Sequence, residues 1–160
     1  RMKAASKEAY EEAVTSMTTL NKYAAEIFRK YDVHACTDVT GFGLLVHLGE
    51  MLGENFSANL LAEQIPYIPA CEDYVEEFYL TAAGQRNRNH IGEQVAFENC
   101  SFGMEEILFD PQTSGGLLVA VPEEEAERAF REIQALGLRC GMIGHVTAKQ
   151  EKKIYVHGGR

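Results

Sequence analysis

Apolar positions along this chain recur with two periods, and the switches between them outline its elements. Ala13, Met17, Leu20, Ala24 and Ile27 repeat at three- and four-residue steps, the spacing of one helical stripe. With Ser6 as a cap, the stripe predicts a single helix from Ser6 to about Phe28. A short strand is predicted over 33–37, a helix over 44–52 stopped by Gly53, and an alternating strand over 56–61. Pro66 and Pro69 then interrupt the pattern. Residues 71–80 read as a helix with Val75, Phe78 and Tyr79 towards the core. The stretch 81–89 has few apolar positions and reads as loop, 95–97 as a short strand, and 104–109 fits helix and strand equally.

The second half is more regular. The β-branched run 117–121 is too apolar for an edge strand. Pro122 and Glu123 to Glu125 open a helix in the manner of an N-terminus, with Ala126, Ala129, Phe130, Ile133 and Leu136 as its buried face and Gly137 as its stop. Residues 140–146 and 154–156 read as strands joined by the charged turn 149–153, a terminal hairpin. Mixed helices and strands predict a layered α+β fold. No repeat, low-complexity tract or linker divides the chain, so one domain is expected over 1–160.

Composition narrows the partners. A chain of 160 residues, 46% hydrophobic, can bury a sizeable core. Its formal charge of −9 disfavours nucleic acid and acidic membrane surfaces. It does not disfavour nucleotides, which arrive with Mg²⁺ and need carboxylates to hold it. No apolar run approaches the ~20 residues of a membrane span, and no signal peptide is visible. Cys36, Cys71, Cys100 and Cys140 lack C-x-x-C spacing, which predicts free thiols in a reducing, cytoplasmic setting. The opening Arg-Met-Lys fits a chain cut from something longer.

Two stretches carry the candidate chemistry. Thr37-Asp38-Val39-Thr40-Gly41-Phe42-Gly43-Leu44 lies between a predicted strand and helix, where ligands collect in α/β folds. Asp38 reads as a Mg²⁺ ligand with Thr37 and Thr40 as neighbouring oxygen donors, or as an Asx-turn or helix cap. Gly41 and Gly43 either admit phosphate or permit positive φ. In Asp110-Pro111-Gln112-Thr113-Ser114-Gly115-Gly116-Leu117, the proline pushes Asp110 towards extended backbone. Gln112, Thr113 and Ser114 offer uncharged donors, and Gly115 and Gly116 lead into a strand. A structural turn explains this second stretch as well as a ligand does. No helix follows it and no P-loop lysine is present. His34 and Cys36 share a strand face but fall short of the four ligands zinc takes. No G-x-S-x-G elbow supports a hydrolase. Arg86-Asn87-Arg88-Asn89 reads as a phosphate-meeting loop or, more simply, a solvated turn.

Together, TDVTGFGLL at 37–45 and DPQTSGGLL at 110–118 resemble the C-terminal domain of the selenophosphate synthetases (selenide, water dikinases). Met17-x-x-Leu20-Asn21, His47-Leu48-x-Glu50-Met51 and Ile143-Gly144 are similar to that family too. The resemblance spans nearly the whole chain but only about half of such an enzyme. It implies the layered α/β sandwich with a mixed sheet, partly ferredoxin-like, shared with aminoimidazole ribonucleotide synthetase. It implies an enzyme that makes selenophosphate, AMP and phosphate from ATP, selenide and water. The catalytic cysteine or selenocysteine, a lysine, most metal-binding aspartates and the dimer contacts belong to an N-terminal domain that this chain lacks.

By position, the resemblance makes Asp38 the Mg²⁺ ligand contributed by the C-terminal domain as it closes over the nucleotide. Asp110 to Gly116 map onto site architecture. The family's Gly-Gly-Thr before an asparagine becomes Gly84-Gln85-Arg86-Asn87-Arg88-Asn89, with the asparagine aligned to Asn89 and Asn87 the alternative. The lost glycines weaken the case for a substrate contact from that loop. The fragment alone is expected to be inactive. Two other readings stand beside this one: a freestanding non-catalytic binding or dimerisation module of the same fold, and another ATP-dependent enzyme of the superfamily, such as thiamine phosphate kinase.

Overall fold

A computed structural model describes residues 5–159. In chain order the elements are α1 (Lys7–Thr18), α2 (Lys22–Phe28), β1 (Ala35–Asp38), α3 (Gly43–Leu52), β2 (Phe56–Leu61), α4 (Ala70–Glu76) and α5 (Ala82–Ile91). Then follow β3 (Val95–Glu98), α6 (Phe102–Phe109), β4 (Leu117–Ala120), α7 (Glu123–Gln134), β5 (Gly144–Ala148) and β6 (Ile154–His157). β1 and β4 form an antiparallel ribbon, and the other strands form a sheet in the order β3-β6-β2-β5. β6 runs parallel to both β2 and β3, whereas β5 is antiparallel to β2. The mixed sheet under packed helices bears out the layered α+β reading.

Two apolar clusters hold these layers together. The larger joins α3 (Leu45, Leu48, Leu52), α6 (Leu108, Phe109) and the sheet (Leu60, Ile154, Val156). The smaller packs Ala24, Ile27 and Tyr31 against Ala129 and Ile133 of α7. The ribbon lies between them: Leu118 belongs to the larger cluster, while Leu117 and Val121 pack on the smaller. This corrects the expectation that 117–121 could not be an edge. Its apolarity reports two covered faces, and its outer edge is unpaired in the ribbon.

Other expectations change for local reasons. The single first helix breaks at Thr19, which is extended (φ −72, ψ 122). The Thr15, Thr18 and Thr19 hydroxyls all donate back to carbonyls of α1, competing with the helical backbone. Met17 and Leu20 are consequently exposed instead of lining a stripe. The 71–80 helix stops at Glu76, and Phe78 takes φ +61 and is 77% exposed. Only Val75 of its three predicted core residues is buried. On α7, Ala129 and Ile133 are buried, but Leu136 lies beyond the end of the helix and is exposed.

Residues 81–89 are not loop. They form most of α5, whose cap is Thr81, its hydroxyl accepting from Gly84 N–H. The ambiguous 104–109 stretch is helical, capped by Ser101, which accepts from Met104 N–H. The terminal hairpin is absent among the described residues, because β2 separates β5 from β6. The residues explain this ranking. Ile154 and Val156 are 0% exposed, as a central strand requires, whereas Val146 of β5 is 48% exposed at the sheet edge.

Candidate metal and phosphate site

β1 leads into the first loop and the second leads into β4, with Asp38 in register opposite Leu117. Pairing continues beyond the strands. Val39 N–H donates to Gly116 O and Gly115 N–H to Val39 O, each at 3.0 Å. Gln112 N–H donates to Thr40 O at 3.0 Å. The two loops are therefore one hydrogen-bonded unit, although α3, β2, α4, α5, β3 and α6 separate them in sequence.

Their closeness depends on glycine. A Cβ on Gly115 would lie 2.3 Å from Val39 O. Gly43 has φ +70, and its Cβ would lie 2.9 Å from the carbonyl oxygens of both Phe109 and Asp110. Gly41 differs: it is outside the left-handed region, and a Cβ there would meet nothing within 4 Å. Of the two glycines that sequence chemistry left open, Gly43 serves the backbone and Gly41 leaves free space.

Two amides fasten the unit. Asn87, buried on α5, donates to Gly41 O at 3.1 Å and to Phe109 O at 2.9 Å, bridging both loops. Asn21 donates to Gly115 O at 3.0 Å. Asn89 is exposed. Residues two apart on a helix point about 200° apart, so Asn87 and Asn89 cannot both face the loops. The signal for Asn87 was its spacing, since Gly84, Asn87 and Ile91 are the buried positions of α5 and sit three and four residues apart.

The remaining candidates divide by exposure. Asp38 is exposed at its strand end, and Thr37 is half-buried with its hydroxyl donating to Asp38 O at 3.2 Å. Thr40 pairs with His47 Nε2 at 3.2 Å. Gln112, Thr113 and Ser114 are exposed, and Gln112 Nε2 donates to Asp110 O at 3.1 Å. Asp110 is half-buried and accepts from the Thr81 hydroxyl at 2.9 Å. Burial pushes the Asp110 carboxyl above the usual range, and the Thr81 hydrogen bond acts against it. Partial desolvation, then the Asp38 carboxylate, holds the Cys36 thiol high; burial, then Asp110, does the same at Cys71. Raised thiols are poor nucleophiles, and all four cysteines are free.

Among the described residues, no three His, Cys, Asp or Glu side chains converge as a metal site. Mg²⁺ commonly keeps several waters and takes one or two carboxylates besides substrate phosphates. One exposed carboxylate beside hydroxyls and an open glycine fits a single contribution to such an ion, not a cage for it. Next to Gly41, a groove of about 440 Å³ runs between α3 and α5, lined by Phe42, Glu50, Arg86 and His90 among others. No helix among the described residues is long and apolar enough to cross a membrane.

Comparison with known proteins agrees with the resemblance carried by the loops. The family model for the AIR synthase related protein, C-terminal domain, matches residues 2–157. A selenide, water dikinase of Agathobacter rectalis is 51% identical over 150 residues, 93% of this chain and 44% of the relative. One from Desulfitobacterium hafniense strain Y51 is 47% identical over 146 residues, 91% of this chain and 43% of the relative. One from Treponema denticola is 40% identical over 146 residues, 88% and 41% respectively. The chain thus spans less than half the length of these curated relatives. By its loops, its mixed sheet and this match over nearly its whole length, the chain belongs to the AIR synthase related protein C-terminal-domain family.

Proposed function

We propose that this chain is the C-terminal domain of a selenophosphate synthetase, an ATP-dependent phosphotransferase acting on selenide and water. In this reading its partner is the enzyme's own N-terminal domain, within a homodimer. The observation that carries the proposal is the fusion of the two loops into one unit, with Asp38 left exposed at its rim. A turn-forming or capping aspartate would be occupied by backbone N–H groups. Asp38 instead ends a strand beside Gly41, whose open space admits a close oxygen ligand.

Mg²⁺, arriving with ATP as substrate, would supply neutralisation of phosphate charge. Asp38 would hold one position on that ion. Gly41 would let the loop approach the phosphates, and the Asn87 clamp would keep Asp110 and the first loop in fixed relation. The domain would close over the nucleotide with this rim facing inward.

The test uses the protein at the full length of its relatives. It is expected to convert ATP and selenide to selenophosphate and AMP. Asp38→Asn should lower turnover sharply at limiting Mg²⁺ while leaving the unfolding midpoint unchanged. Unaltered turnover in that variant would remove Asp38 from the metal site.

A further inference from the structure

His47 is a buried imidazole that the proposed chemistry does not use. It is 7% exposed, and its two ring nitrogens have different partners. Nδ1 lies 3.2 Å from Glu50 Oε2, one turn along α3, and Nε2 lies 3.2 Å from Thr40 Oγ1 in the first loop. The Phe42 ring packs edge-on at 5.9 Å between centroids, limiting rotation of the imidazole. A carboxylate only accepts hydrogen bonds. If the ring proton were on Nε2 alone, the Nδ1 lone pair would face Glu50 with no proton between two acceptors. In the neutral ring, Glu50 therefore fixes the proton on Nδ1. Nε2 is then the acceptor, and the Thr40 hydroxyl donates to it.

We propose that His47 is a positioning residue that commits the Thr40 hydroxyl proton to the protein, so that Thr40 offers the site only lone pairs. The ligand that matches such a group is the water shell of a divalent cation, which donates, and not a phosphate oxygen, which accepts. Glu50 takes part by setting the tautomer, as outer partners of metal sites commonly do. This assignment deepens the proposed function and rests on it for the identity of the cation.

Substituted amides separate the two contacts. Gln at 47 reaches the position of Nε2 and retains an acceptor for Thr40, whereas Asn reaches only as far as Nδ1. In the full-length protein, His47→Asn and Thr40→Val should each lower kcat/KM for Mg²⁺–ATP by roughly 10- to 100-fold. Because both remove one link, the double variant should be no worse than either single variant. His47→Gln should recover most of the loss.

Gln as damaging as Asn, or single effects that multiply in the double variant, would overturn the positioning role. Long-range ¹H–¹⁵N spectra of the 160-residue chain examine the ring without any activity. They should show a protonated Nδ1 and a lone-pair Nε2, and a proton found on Nε2, alone or together with one on Nδ1, would overturn the assignment. Absence of selenophosphate formation by the wild-type protein would instead sink the proposed function, with the spectrum still deciding the ring.

Discussion

A methyl group at Gly43 would sit 2.9 Å from two carbonyl oxygens on left-handed backbone, whereas one at Gly41 would touch nothing within 4 Å. The two glycines therefore separate folding from ligand approach. Gly43→Ala should destabilise the protein by about 1–3 kcal/mol. Gly41→Ala should leave the unfolding midpoint unchanged and still reduce turnover of the full-length protein. Denaturant unfolding with parallel assays checks both, and full activity in Gly41→Ala would mean that its open space is unused. Sequence chemistry gave these residues a single ambiguity. Resolving it needed the Phe109 and Asp110 carbonyls, which arrive from much later in the chain.

Asp110 makes a second argument at the same scale. Its pKa is raised in the folded protein, first by burial. A raised carboxyl pKa means that the native state holds its proton more tightly than the unfolded state. Its contribution to stability is then most favourable at acid pH and is lost as pH rises from the ordinary aspartate range through the folded value. Asp110→Asn keeps an oxygen for the Thr81 hydroxyl and removes the buried charge. The variant should unfold at a higher temperature than wild type at neutral pH, with the gap closing below the usual aspartate pKa. A gap of the same size at both pH values would mean that the carboxylate is not held at a cost.

At the scale of elements, α5 was the least legible part of the chain and holds the site together. It carries few apolar residues because its inward positions do polar work. Asn87 clamps the loops, and Arg88 reaches α6, with Nη2 at 3.1 Å from Glu105 and 2.8 Å from buried Glu106. The Arg88 guanidinium also lies 4.7 Å from the centre of the Phe109 ring, immediately before Asp110. Gln85 donates to Glu106 at 2.7 Å. Hydrophobic periodicity cannot report a helix whose packing is ionic and amide-based. Arg88→Met would leave Glu106 without its cation and should cost about 3 kcal/mol. Arg88→Met with Glu106→Gln should recover much of that loss in urea unfolding. A double variant less stable than the single would show that the pair is not what joins the helices. Where burial is apolar, as in α3 and β2, the predicted boundaries match the observed ones to within a residue.

For the whole molecule, Asp38 belongs to no group of three His, Cys, Asp or Glu side chains that could hold an ion among the described residues. In the proposed function, a chain covering 44% and 43% of two of its relatives would carry only part of the site. The 160-residue chain should accordingly bind Mg²⁺–ATP weakly or undetectably in calorimetry and release no AMP. Micromolar binding by this chain alone would contradict the view of the loops as half of a site. The strand order was equally hidden from sequence. The charged turn suggested a local hairpin, but pairing followed burial, and burial is decided by partners far along the chain.

That strand order also bears on synthesis. β6 sits between β2 and β3 and pairs with both, yet it is made after either. During translation β2 and β3 leave the ribosome with no strand to join them, and their facing edges stay unpaired until the Ile154 and Val156 segment emerges. The sheet can close only late, over long loops, and a nascent chain stalled before β6 would present two open edges to chaperones or to its neighbours.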